Sequence, residues 1–272
     1  MTRVVNGVLH RLLHVEGQAI VVRAWEQPSG EITLRAEHVG SDGAPEALEV
    51  AMERQRFALG IDDDLSEFYE LFKRDPVLGP VINRRPSIRP RRTVWPWHAL
   101  LRAITKQLIE ASRAAAIERR IVRRWGIGAA GLLDVPGPAV VRGIAPAELV
   151  ACDLTEARSL AMLRCAREVA AGRADLADPA SDRRLLAIPE IGPWTVQCVG
   201  LDGRGDPDSL PAGDLGFIKL VGVLAGLGRR AEVEEVEEYF APYEPYRGLA
   251  GTFMLIGLHK MVGGHGPLKL AA

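Results

Sequence analysis

Apolar positions change their rhythm within the first hundred residues. Residues 8–15 and 19–25 are short apolar runs with partial alternation, and 31–36 alternates polar and apolar. Glu16-Gly17 and Pro28-Ser29-Gly30 punctuate them. Period-two patterning between turn signals predicts a small antiparallel sheet. Helical spacing follows at 45–54 and 64–74. In the second stretch Leu65, Phe68, Tyr69, Leu71 and Phe72 recur behind Asp64 or Ser66 as a cap. Pro76, Pro80, Pro86, Pro90 and Pro96 then predict a linker free of regular helix or strand.

From residue 97 the spacing is helical almost throughout. His98 to Arg124 reads as one long amphipathic helix with Leu101, Ile104, Leu108, Ala111 and Ala115 on one stripe. Shorter helices are predicted at 145–151, 155–172, 180–188, 194–201, 215–226, 231–240 and 246–262, with Thr155 starting one and Gly172 stopping it. The expected fold class is mostly α. An N-terminal α+β domain with a small antiparallel sheet spans 1–90 and includes the Pro/Arg-rich linker; an all-α domain spans 91–272.

Composition narrows the class. Of 272 residues, 47% are hydrophobic and 25% charged, as in soluble globular chains. No apolar run approaches the roughly 20 residues that cross a bilayer, and Met1 to Gly7 has no signal core. A cytoplasmic location away from membranes is expected. With 34 basic and 35 acidic side chains the net charge is −1, so any anionic partner has to be met by a local patch. Cys152, Cys165 and Cys198 are too few and too scattered for a disulfide framework, a zinc ribbon or a four-thiolate cluster. His10 and His14 lack a second ligand pair, so no metal is expected.

Chemistry concentrates in 185–220. An apolar helix end, Leu185-Leu186-Ala187-Ile188, runs into the turn Pro189-Glu190-Ile191-Gly192, and Pro193-Trp194-Thr195-Val196 opens a new helix. Proline suits a first helical position. Such a turn exposes backbone N–H groups that suit a phosphate oxygen, and it is equally a common link between two helices. Leu210-Pro211-Ala212-Gly213-Asp214 follows, with Asp214 placed to cap a helix from 215. The same carboxylate could face a cleft between helices.

The hairpin 188–195 together with 210–214 resembles the helix-hairpin-helix DNA glycosylase superfamily, in particular the bacterial DNA-3-methyladenine glycosylase II type. Residues 153–160, 245–250, 56–62 and 75–78 resemble further parts of that type. The resemblance implies that 91–272 is a helix-hairpin-helix glycosylase domain. It implies an enzyme that binds duplex DNA containing a damaged base, flips an alkylated or labile base out and hydrolyses its N-glycosidic bond. Asp214 matches the catalytic carboxylate, and Trp194, Cys198, Leu255 and Ile256 match the base pocket. Gln107 and Leu108 match a loop that enters the minor groove, with Leu108 as the wedge. Glu190, Ile191, Gly192 and Thr195 match the hairpin that holds the DNA strand. Where bifunctional members carry a lysine this chain has Trp194, which implies no lyase step. No cofactor and a monomeric state are expected.

The sequence also departs from the pattern. Glu190 stands where a hairpin glycine is usual, and Glu110 where a small residue is common. Cys198, Leu255 and Ile256 replace aromatics, so Phe217, Phe253 or Tyr246 would have to substitute if a cationic base is to be stacked. The alternative expectation is a non-catalytic relative that binds distorted DNA.

Overall fold

The computed structural model describes residues 2–40, 43–107 and 109–258; Leu108, expected as the wedge, lies outside the described residues. Strands Arg3–Val5 (β1), Val8–Val15 (β2), Gln18–Glu26 (β3) and Ile32–His38 (β4) form an antiparallel sheet in chain order. The β2–β3 register places Leu13 opposite Ile20 and Leu9 opposite Ala24. Helix Pro45–Leu59 (α1) lays Ala47, Ala51 and Ala58 against Leu13, Val15, Ile20 and Val22. Gly60 ends it at φ 63, a left-handed position that glycine takes without a Cβ penalty.

Helices Ser66–Phe72 (α2) and Leu78–Arg84 (α3) follow. The expectation that 76–96 is free of helix is corrected by α3. Pro80 sits in its first turn, where the missing N–H has no intrahelical acceptor to lose, and Pro76 and Pro86 flank it. Helices Pro96–Lys106 (α4) and Ala111–Trp125 (α5) replace the single long helix expected over 98–124. Gln107 is extended at ψ 125 and so is Glu110 at ψ 143, which ends one helix and begins the next.

A two-stranded ribbon, Gly128–Ala129 (β5) with Leu132–Leu133 (β6), leads to Asp134. Asp134 Oδ2 accepts from the backbone N of His14 at 2.9 Å and lies 3.1 Å from its Nδ1, tying the ribbon to the sheet. The remaining helices are Pro138–Val141 (α6), Pro146–Val150 (α7), Glu156–Ala170 (α8), Asp182–Leu186 (α9), Pro193–Cys198 (α10), Leu215–Leu224 (α11), Val233–Phe240 (α12) and Arg247–Gly257 (α13). Thr155 caps α8 through its Oγ1, as expected.

Two apolar cores fill the helical part. One joins α4 and α5 to α7–α10 around Trp97, Ile104, Ile117, Met162 and Leu185. The other joins α2 and α3 to α11–α13 around Phe68, Leu78, Phe217, Phe240 and Phe253. Residues 65–82 therefore share a core with 210–254, across the division expected near residue 90. Each buried Phe or Leu contributes roughly 1.5–3 kcal/mol. The hairpin belongs to the first core and α11 to the second, so the candidate chemistry sits where the two meet. Among the described residues no helix is long and apolar enough to cross a membrane.

Candidate functional site

The hairpin turn joins α9 to α10. Ile188 and Ile191 anchor it in the first core at 8% and 4% exposure. Glu190 points the backbone through φ 73, the left-handed region in which a glycine would be unstrained. Thr195, one turn into α10, is buried. The helix then widens into a π-helical turn over Val199–Arg204, a feature frequent at functional sites.

Asp214 heads α11. Its Oδ1 accepts from the backbone N of Gly216 at 2.8 Å, so the capping role is filled. Its Oδ2 accepts from Lys106 Nζ at 2.6 Å. The Asp214 side chain is 14% exposed and that of Lys106 43%, so the carboxylate is largely shielded from bulk water and the ammonium partly so. Burial alone would lower the lysine's proton affinity; the Asp214 carboxylate outweighs it and holds the ammonium above the ordinary lysine value. The pyrrole edge of Trp194 lies against the turn before Asp214, since a Cβ added at Gly213 would sit 3.5 Å from Trp194 Cδ1. Leu255 of α13 closes the other side, 3.4 Å from where a Cβ at Gly216 would be.

The residue after Lys106 reaches the opposite way. Gln107 Nε2 donates to the Glu190 carbonyl at 2.7 Å and to Thr195 Oγ1 at 3.1 Å. The C-terminus of α4 thus bridges the acid at α11 and the hairpin. A groove of about 280 Å³ runs along that bridge, lined by Gln107, Thr155, Arg158, Glu190, Gly192, Trp194 and Thr195. Five residues expected from the sequence meet there: Gln107, Glu190, Gly192, Trp194 and Thr195. Ile191 supports the groove from within the core. A larger hollow of about 450 Å³, between α1, residues 94–96 and Gly203-Arg204, holds none of the candidate residues.

Cys198 is buried behind the pair, and burial, with the nearby Asp202 carboxylate, pushes its thiol well above the usual range. Ile256 is half-buried on α13 and does not line the groove. The aromatics that could have replaced the missing rings do not reach the site. Phe253 packs on Phe68 at 5.1 Å, Tyr246 on Phe68 at 5.5 Å and Phe217 on Phe240 at 5.8 Å, all in the second core.

Three site residues were not singled out from the sequence. Lys106 lay inside a predicted continuous helix. Arg158, behind the α8 cap, resembles any helix-surface arginine, yet it is 9% exposed and its guanidinium has no hydrogen-bond or ion-pair partner among the described residues. Asp202 occupies the π-helical turn; burial raises its carboxyl pKa against the opposing pull of Arg102 and Lys106. Two arginines, one of the linker and one of α5, are paired within the protein. Arg92 clamps Asp63 with two bonds of 2.8 Å, and Arg124 pairs with Glu148 at 2.7 Å.

No family model matches the chain. It is 30% identical, over 216 residues, to the probable bifunctional transcriptional activator/DNA repair enzyme AlkA of Mycobacterium tuberculosis, a match covering 75% of this chain and 42% of that protein. The chain thus spans less than half the length of that relative. It is 25% identical to a DNA-3-methyladenine glycosylase of Bacillus subtilis over 72% of this chain and 67% of that one. Its fold matches a 3-methyladenine DNA glycosylase from Archaeoglobus fulgidus with a TM-score of 0.81 at 21% identity, covering 95% and 89% of the two chains.

Proposed function

Because the chain belongs to the helix-hairpin-helix DNA glycosylase superfamily, we propose that it is a monofunctional DNA glycosylase. It binds duplex DNA as a monomer in the cytoplasm, flips an alkylated or otherwise labile base out of the stack and hydrolyses the N-glycosidic bond. The observation that carries this is the position of Asp214. A carboxylate fixed by a helix start bonds Lys106, and the turn before it packs on Trp194, which lines the hairpin groove.

As the base leaves, the sugar gains oxocarbenium character. A partly buried carboxylate stabilises that charge more than water does, and it takes the proton of the attacking water. The Lys106 pair is partly exposed, and such pairs are worth about 1 kcal/mol or less, so it leaves the Asp214 carboxylate free to respond to charge developing on the sugar. The hairpin and Arg158 hold phosphates without reading sequence. Gln107 keeps the loop after α4 in register with the hairpin, so strand grip and base displacement act as one unit.

The absence of a lyase step follows from two groups. Trp194 at the hairpin offers no amine. Lys106, the amine beside Asp214, is kept as an ammonium, which is not a nucleophile. The test uses methylated duplex DNA. The expected result is release of bases as alkali-labile abasic sites, with no protein–DNA adduct trapped by borohydride. A trapped adduct would contradict the monofunctional reading, and absence of release would contradict the glycosylase reading.

A further inference from the structure

We infer that Lys106 tunes this site toward uncharged lesion bases that carry a hydrogen-bond acceptor, such as a ring carbonyl, and away from cationic alkylated bases. The inference rests on the glycosylase reading above and names its substrate class.

The first observation is the charge of the site. Lys106 Nζ lies 2.6 Å from Asp214 Oδ2, so ammonium and carboxylate cancel. An unpaired carboxylate would draw a cationic base in; the adjoining ammonium offsets that attraction. A cationic lesion carries its charge from base to sugar as the bond breaks, and the ammonium repels it at both ends. An uncharged lesion separates into a positive sugar and an anionic base. A pair with one group of each sign is complementary to that separation.

The second observation is the lack of rings. Cation–π attraction needs an aromatic face within about 6 Å of the cation. Trp194 is the aromatic lining the groove, with Cys198 and Leu255 nearby, while Phe217, Phe253 and Tyr246 are engaged in the second core. The third is a donor. Trp194 Nε1 is buried and has no acceptor, although its ring edge borders the Asp214 turn. Buried donors are rarely left so, and a base oxygen drawn against that edge supplies the acceptor.

The chemistry balances without a further reactant. The C1′–N bond pair leaves with the base, and Lys106 gives the base nitrogen a proton. Water oxygen bonds to C1′, and the proton it sheds goes to Asp214. That proton crosses the 2.6 Å hydrogen bond to Lys106 as the water adds, so both groups are restored and no free amine remains to attack the sugar. One water is consumed; the neutral base and the abasic sugar are released. An undamaged guanine in a sound pair is protected by the cost of unpairing, which is smallest for mispaired or damaged bases.

The experiment compares two duplexes under single-turnover conditions, one with hypoxanthine opposite thymine and one with 7-methylguanine opposite cytosine. Wild type is expected to release hypoxanthine faster once spontaneous loss is subtracted. Lys106→Met is expected to slow hypoxanthine release about 100-fold, in the range of a lost general acid, and 7-methylguanine release far less. Lys106→Arg keeps the charge and is expected to recover part of the hypoxanthine rate. The wild-type hypoxanthine rate is expected to fall at alkaline pH as Lys106 loses its proton, and that alkaline limb to vanish in Lys106→Met. Equal losses on both lesions in Lys106→Met would reduce Lys106 to a prop for Asp214 and overturn the inference, as would a wild type faster on 7-methylguanine. Release of neither base by wild type would remove the glycosylase reading itself, and the inference with it.

Discussion

The Lys106 ammonium meets the Asp214 carboxylate at 2.6 Å across 108 residues of chain, while the other Asp214 oxygen caps α11. One side chain thus has a structural bond and a chemical one, and substitution separates them. Asn is as good a cap as Asp, whereas Ala forfeits about 1 kcal/mol. Asp214→Ala is expected to lower the melting temperature by roughly 2–4 °C, and Asp214→Asn to leave it nearly unchanged. Equal destabilisation, read by thermal unfolding, would mean that the ion pair and not the cap holds the turn.

Glu190 holds φ 73 in the hairpin, a conformation that costs an L-residue with a Cβ roughly 1–2 kcal/mol. Part of that is offset by the greater freedom glycine loses on folding. Glu190→Gly is expected to raise stability in a denaturant titration by up to about 1 kcal/mol. It also removes a negative charge from the groove and leaves the carbonyl that Gln107 bonds. Duplex binding at low salt is expected to tighten; weaker binding would show that the groove does not face phosphate.

Arg158 lines that groove and has no ion-pair partner among the described residues. If it neutralises one phosphate, Arg158→Met is expected to reduce the slope of log affinity against log salt by about 0.9, and Arg158→Lys to preserve it. An unchanged slope in the Met variant would confine Arg158 to packing.

Burial pushes the Cys165 thiol up to about 12, raises that of Cys152, and together with Asp202 raises that of Cys198. Thiolate is the reactive form. At pH 8 the native protein is expected to leave its three thiols unreacted with an aromatic disulfide reagent, and the denatured chain to react at all three. Fast reaction of a native thiol would reveal local opening at that position.

Much of this fold was legible because its signals are local. Alternation marked the sheet, a hydroxyl marked the start of α8, and the Pro-Gly turn before Trp194 marked the hairpin. Asp214 was legible as a cap for the same reason. The break between α4 and α5 was not, because the three- and four-residue apolar spacing runs on across Gln107 to Glu110. Helix α3 escaped because proline density alone does not distinguish a first-turn proline from a breaking one. Lys106, Arg158 and Asp202 join the site through tertiary placement, for which no local spacing is a signal. The spare aromatics were drawn into the second core by the larger burial available there, a competition that only the packed structure reveals.

If the Asp214 carboxylate drives cleavage of the glycosidic bond, its loss shows in single-turnover release of a lesion base. Asp214→Asn, folded and still binding an abasic-analogue duplex, is expected to release the base at least about 100-fold more slowly than wild type. Equal release by the two proteins would remove Asp214 from the reaction.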